Sequence, residues 1–344
     1  MSFVAQLKKS IKNPPKHRQL PRKKAIVLSG ARESDLWSFA KSGLSVTALE
    51  LWLTCREQFR LRYAEGLRTH RTSAALDYGN LWHWILSRAH DKRYRKAMDL
   101  DKQLREVDAE WKEDHPNAFE KPIQDWHQSL AKVRALWPVY AQKFKGDWSR
   151  DWVGVELPFR YGYEMPKQRT YLHGIFDGVY REKGKLWLLE TKTKSQIDEF
   201  EIEDTLHLDN QVMMYLWCLR LGMGEMPVGV EYNVIRNPGT RMKCGESLLE
   251  YGARLSKEIK KDEDHYFKRW HMPVSSAKLE DWHANQFRPI MMDVEAWACY
   301  DGPHYINTKA LIGKYGRCDM FNFMTKGDTA DLTQRQPRKL EKDR

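Results

Sequence analysis

Apolar residues along the chain follow two successive rhythms. From Ser42 the segment SGLSVTALELWLTCREQFRLRYAEGL spaces Leu49, Trp52, Phe59 and Tyr63 along one face of a helix. Thr47, with Glu50 three residues on, has the pattern of a capping box. The helical period returns from Tyr78 to about Lys145 in LWHWILSRAH, LREVDAEWKED and DWHQSLAKVRALWPVYAQKF, with breaks expected at Pro116 and Pro138. The pattern then changes to short alternating runs, DWVGVELPFRYGY, TYLHGIFDGVYRE and GKLWLLETKTK, parted by glycine-rich or charged turns, which predict β-strands. A helix, LHLDNQVMMYLWCLRLG, and another strand, VGVEYNVIRNP, follow; roughly the last hundred residues read as mixed helix.

These elements predict an α/β architecture, a small mixed central sheet with a crossing helix, set between a helical front half and a helical C-terminal region. The expected divisions are a flexible basic arm over 1–30, a helical region over 41–150, the sheet-bearing core over 151–240, a helical region over 241–325 and a polar basic tail over 326–344. The arm has few apolar anchors and a proline pair at Pro14 and Pro15.

The stretch HGIFDGVYREKGKLWLLETKTKS, from His173 to Ser195, places charges on a half-buried hairpin. Lys183 and Gly184 suit a two-residue turn, Gly184 supplying a positive φ. Pairing outward from that turn sets Glu182 against Lys185 and brings Asp177 opposite Glu190. Directly opposed Cβ atoms lie about 4.5–5.5 Å apart, where like charges are destabilising. The two carboxylates therefore call for a cation. Lys192 shares their face, while Leu189 and Thr191 point the other way. Hard oxygen ligands suit Mg²⁺ or Mn²⁺, and a metal beside a lysine suits phosphodiester hydrolysis. The competing reading is a solvated hairpin with a screened Glu–Lys pair.

Three other positions bear on the choice. Gly79 and His83, four apart in DYGNLWHWIL, share a helix face, His83 being a metal ligand, a general base or a core histidine. Gln211 and Tyr215 are spaced alike in DNQVMMYLWCLR, to position a nucleotide or water or simply to pack. Glu156 in GVELPF is either a further acidic group or a solvent-facing residue. Arg56, Arg60 and Arg62 form the polar face of the early helix, turned to a phosphate chain or to water, and Arg56, Arg60 and Lys194 are the candidate DNA contacts.

Composition narrows the partner. The formal net charge is +11, from 58 Lys and Arg against 47 Asp and Glu, which favours a polyanion. Five cysteines, at 55, 218, 244, 299 and 318, are odd in number and form no C-x-x-C pair, arguing for a reducing compartment. No apolar window is long enough to span a membrane, and the basic N-terminus has no secretory h-region, so a cytoplasmic protein is expected.

In order, TALELWLTCREQFRLRYAEGL, YGNLWHWIL, GIFDGVY, LLETKTK and QVMMYLWCL resemble the PD-(D/E)XK nuclease superfamily, in its RecB-like and phage exonuclease branch. The resemblance implies a restriction-endonuclease-like core and a Mg²⁺- or Mn²⁺-dependent DNA nuclease, an exonuclease of recombination or repair. His83, Asp177 and Glu190, with the main-chain carbonyl of Thr191, would be the metal ligands, Lys192 the catalytic lysine, and Gln211 with Tyr215 the Q-x3-Y motif. DNA is the expected partner, with a recombination or annealing protein as a second. A catalytically silent nucleic-acid-binding accessory on the same fold is the alternative. Many relatives hold an iron–sulfur cluster on four thiolates. Here only Cys55 and Cys318 match and Cys299 is off the pattern, so no cluster is expected. In its place Trp297, Tyr300, Tyr305, Leu311, Tyr315, Phe321 and Phe323 are expected to pack on Leu49, Trp52 and Phe59.

Overall fold

The backbone builds the sheet that the alternating runs predict, and adds a strand to it. A computed structural model describes residues 28–69, 73–91, 98–116, 118–300, 304–313 and 316–335; most of the expected basic arm lies outside the described residues. Helices α1 (Val46–Thr54), α2 (Ala74–His90), α3 (Leu100–Asp114) and α4 (Glu120–Lys143) precede the sheet. Its strands are β1 (Asp151–Glu164), β2 (Arg169–Glu182), β3 (Lys185–Lys194), β4 (Gly229–Arg236) and β5 (Phe267–Pro273), adjacent in that order. Helix α5 (Asn210–Met223) makes the crossover that parallel pairing of β3 with β4 requires. Helix α6 (Leu248–Ile259) lies between β4 and β5, and α7 (Arg288–Cys299) follows β5.

Alternation along β4 separates two cores. Val230, Tyr232 and Val234 join Leu186 and Leu188 of β3 under α5, with Leu49, Trp52 and Phe59 from the front of the chain and Trp297 of α7. Ile235 faces the other way, with Phe267, into Trp82, Ile85, Leu136, Tyr140, Tyr251 and Leu255 of α2, α4 and α6. The sheet is thus covered on both faces along β3 and β4.

The β2–β3 turn holds Lys183 at φ 51° and Gly184 at φ 77°, both left-handed as a type I′ turn demands. The ladder runs from Glu182–Lys185 to Gly178–Leu189, the register expected, and stops there.

Several expectations need correction. The sequence FKRWHMP, placed in the helical C-terminal region, is the edge strand β5. Its alternation is disguised because Arg269 and His271, on the face begun by Phe267, are spent on a buried ionic network. Pro138 lies inside an unbroken α4, where packing of Leu136, Val139 and Tyr140 offsets the hydrogen bond it removes. The cap of α1 is Ser45, whose Oγ accepts from the Ala48 N–H at 3.2 Å; Thr47 lies in the first turn. Arg60 turns inward, 5% exposed, because Glu57 and Glu65 take its guanidinium at 2.9 and 2.7 Å. Leu332–Gln334, from the expected tail, pairs with Leu67–Thr69 and buries Leu332 beside Leu61 and Met320.

Of the aromatics expected on the early helix, Trp297 arrives, 5.1 Å from Trp52 and 5.8 Å from Phe59 between ring centroids. Tyr300 and Tyr305 remain exposed, Phe323 joins Leu61 and Leu67 instead, and Phe321 lies under Arg317. Leu311 is half-buried, and Tyr315 lies outside the described residues.

The ionic network pins the helical front to the sheet. Glu231 of β4, fully buried, accepts two hydrogen bonds from Arg150 at 2.8 and 2.7 Å and one from Arg269 at 2.9 Å, with Tyr180 and His271 adding others. Arg269 also grips both oxygens of Asp147, at 2.9 and 2.6 Å. Burial alone would raise the Glu231 pKa. Hydrogen bonds from His271 and Arg150 and the charge of Arg269 outweigh it and hold the carboxyl at about 2. Its contribution is therefore fully present above pH 4.5 and is lost as pH falls through about 2. We expect Glu231→Gln, which strips Arg150 and the largely enclosed Arg269 of a counter-charge, to cost about 2–4 kcal/mol in urea unfolding at neutral pH. The variant should also lose less stability than the wild type on acidification across that window; a cost below about 1 kcal/mol would show the network to be dispensable.

Candidate active site

Where β3 parts from β2, the chain places its carboxylates. Asp177 is the β2 residue just before Gly178, where the pairing with β3 ends, and one of its oxygens, Oδ2, accepts the Thr191 N–H at 2.7 Å. Glu190, on β3, is 0% exposed. Its Oε1 accepts from Lys192 Nζ at 2.6 Å and from Gln211 Nε2 at 2.7 Å. Lys192 Nζ also donates to Gln211 Oε1 at 2.7 Å, so the three side chains close a ring. Glu190 Oε2 is buried with no hydrogen-bond partner. A buried charged oxygen left without a donor is costly, and it is the donor atom that a cation would take.

Helix α2 brings His83 to the other side of Asp177. Its Nδ1 lies 3.4 Å from Asp177 Oδ1 and 3.4 Å from Glu156 Oε1, and one ligand atom from each of the three falls within 4.8 Å of the others. Gly79, one turn earlier, explains the approach. A Cβ there would lie 3.3 Å from Thr193 Oγ1, so the bare backbone lets α2 rest on β3.

Glu156 is the residue that sequence reasoning left undecided. It sits in β1 between the pairs Val155–Gly178 and Leu157–Phe176, abreast of Asp177. Its φ is 46°, a left-handed conformation that a non-glycine residue holds at a cost of about 1–3 kcal/mol. The strain turns a strand residue toward the other acids. A register shift between Trp152 and Gly154 precedes it, and neither irregularity is encoded in a pattern of apolar positions.

The charges act on one another. Burial, then the charge of Glu190, pushes the Asp177 carboxyl well above the ordinary carboxylate range. Burial opposes protonation of His83, but the hydrogen bond to Glu156 and the charges of Asp177, Glu156 and Glu190 push its pKa up to about 9. Lys192 is likewise held above its ordinary value, against burial, by Glu190 and Asp177. The cluster is rich in carboxylates, and their mutual repulsion raises the groups around them. His83, Glu156 and Asp177 offer clustered ligand atoms and Glu190 an unpartnered oxygen, a donor set whose chemistry suits a divalent cation.

Other expected site residues fall differently. Thr191 is buried, its N–H on Asp177 and its Oγ1 beside Asn233 at 3.3 Å. Tyr215 packs edge-on against Phe159 and Phe176, at 5.4 and 5.5 Å, and its hydroxyl lies 3.0 Å from the place of a Gly174 Cβ. Lys194 ends β3, half-buried. Arg56 is paired with Asp293 at 2.6 Å and lies over the Trp52 ring, and Arg60 is the buried residue described above; neither joins the carboxylates. The thiols are dispersed. Cys55 accepts from the Asn307 N–H at 3.4 Å, whereas Cys299 meets Gln168, Cys218 is buried, Cys244 is exposed and Cys318 is half-buried.

No curated protein matches the chain in sequence. Among solved structures, the crystal structure of SSO0001 is similar at 11% identity, over 66% of this chain and 90% of that one, with a TM-score of 0.26. The family model described as the PD-(D/E)XK nuclease superfamily matches residues 43–299, a span that contains α1, the whole sheet and every member of the carboxylate cluster. The chain belongs to the PD-(D/E)XK nuclease superfamily.

Proposed function

We propose that the protein is a deoxyribonuclease that depends on Mg²⁺ or Mn²⁺ and hydrolyses phosphodiester bonds, acting as an exonuclease at DNA ends in recombination or repair. The unpartnered, fully buried Glu190 Oε2 beside Asp177 carries this reading. Asp177, Glu190 and His83 would hold the ion with the main-chain carbonyl of Thr191, and Glu156 lies within reach of His83 and Asp177. A divalent ion there supplies Lewis acidity to a phosphoryl oxygen.

The chain's own groups divide the remaining work. Lys192 stays charged, held by Glu190 Oε1 and Gln211 Oε1, and so acts as a cation toward the phosphate rather than as a base. Gln211 positions that lysine, satisfying both ends of the Glu190–Lys192 pair at once. Tyr215 fixes α5 against Phe159 and Phe176, which keeps Gln211 over β3. Water adds to phosphorus and gives up a proton to solvent, the P–O bond to the leaving strand breaks, and the departing alkoxide takes a proton from solvent in turn. The intact ring of Glu190, Lys192 and Gln211 disfavours a silent accessory protein, which would have no use for it.

Asp177→Ala, Glu190→Ala and Lys192→Ala should each abolish cleavage of a labelled oligonucleotide with Mg²⁺ or Mn²⁺ while the circular dichroism spectrum is unchanged. Near-wild-type turnover by any one of them would sink the assignment. His83→Ala should lower activity strongly and shift the metal titration away from Mn²⁺, because neutral imidazole suits Mn²⁺ better than Mg²⁺. Superimposable Mg²⁺ and Mn²⁺ titrations for the variant and the wild type would return His83 to a structural role.

A further inference from the structure

Two strands outrun the rest of the sheet. β1 and β2 pair from Asp151–Arg181 out to Glu164–Arg169, whereas β3 accompanies β2 only as far as Gly178. A two-stranded arm therefore continues past the carboxylate cluster. One of its faces is core, with Phe159, Tyr163, Leu172 and Phe176 buried.

The opposite face carries Pro158 and Arg160 on β1 and Tyr171, His173 and Ile175 on β2, and none of them is buried. Ile175 is 48% exposed, high for an isoleucine within a paired strand. Cross-strand register sets Pro158 abreast of Ile175 and Arg160 abreast of His173. Positions 171, 173 and 175 share their two-residue period with Asp177, so this strip leads into the cluster of Asp177, Glu156 and His83. From Tyr171 to Asp177 it is about 20 Å long, at roughly 3.3 Å per residue.

Its chemistry is graded. Nearest the carboxylates are the apolar side chains of Ile175 and Pro158. Next come Arg160, which lies over the Tyr171 ring at 4.0 Å and donates to the Lys41 carbonyl, and His173. The strip's outward positions, 158, 160 and 162 with 171, 173 and 175, include no carboxylate. An anionic chain would be repelled by the acids without a cation among them, but not by this approach to them.

We propose that this strip is the track on which a single strand of the polynucleotide substrate runs to the active site, its phosphates on Arg160 and His173 and its base faces on Ile175 and Pro158. The proposal rests on the nuclease reading and adds strand preference to it. A duplex fits poorly: its stacked bases hide the faces that apolar side chains contact, whereas an unpaired strand offers them.

The test is fluorescence anisotropy in EDTA with 5′-fluorescein-labelled oligothymidylates of four and twenty nucleotides and a blunt duplex of twenty base pairs. The wild type should bind the longer single strand about tenfold or more tighter than either alternative. Arg160→Gln and Ile175→Glu should each weaken that binding about fivefold or more, and Arg160→Gln should lower the slope of log affinity against log salt by about 0.7, the value of one single-strand phosphate contact. Arg134→Gln, on the remote helix α4, serves as the control. Both variants binding within about twofold of the wild type, or a duplex preferred over the single strand, would overturn the track. Because binding is read without metal, failure of the wild type to cleave DNA would count against the nuclease reading alone.

Discussion

A fully buried glutamate, Glu190, lies beside a second carboxylate, Asp177, and this juxtaposition of like charges away from water is the constraint on which the site depends. Two such groups cannot both ionise cheaply unless positive charge is close at hand. The fold meets half of the need itself, since Lys192 and Gln211 saturate Glu190 Oε1. The other half, Glu190 Oε2, is left without a partner, where a cation would serve it, and burial with the neighbouring charge raises the Asp177 carboxyl. A scaffold selected only for stability would have replaced these groups with apolar residues, which is often neutral or favourable at buried ion pairs.

The rest of the structure keeps this arrangement from relaxing. Gly79 lets α2 approach β3 closely enough for His83 to reach Asp177. Phe159 and Phe176 wedge Tyr215 and so seat α5, with Gln211, over β3. On the opposite face of the sheet, Glu231, Arg269, Arg150 and Asp147 lock β4 and β5 to the front helices. The strained backbone of Glu156 fits the same picture, for a left-handed residue in a strand persists only where its surroundings over-determine it.

The hairpin was legible in the sequence because a two-residue turn fixes the pairs that follow it, and counting out from Lys183 and Gly184 gives the ladder as far as Gly178–Leu189, with Asp177 and Glu190 the next residues beyond its last pair. Gly79 with His83, and Gln211 with Tyr215, were legible as helix-face pairs, although Tyr215 serves chiefly as packing. Glu156 was not, because its place depends on a register shift and a positive φ that alternation cannot express. Strand β5 was hidden by charge, since Arg269 and His271 resemble surface residues until Asp147 and Glu231 are found beside them. Arg60 misled for the same reason: a long cation on a helix reads as solvent-facing unless its partners, here Glu57 and Glu65, are seen to enclose it.

The most direct test of the account is an anomalous difference map from crystals of the wild-type protein soaked in Mn²⁺. The account predicts a strong peak in contact with Glu190 Oε2 and Asp177, with the His83 imidazole as a further neighbour. A peak elsewhere, with Glu190 Oε2 still lacking any partner, would contradict it.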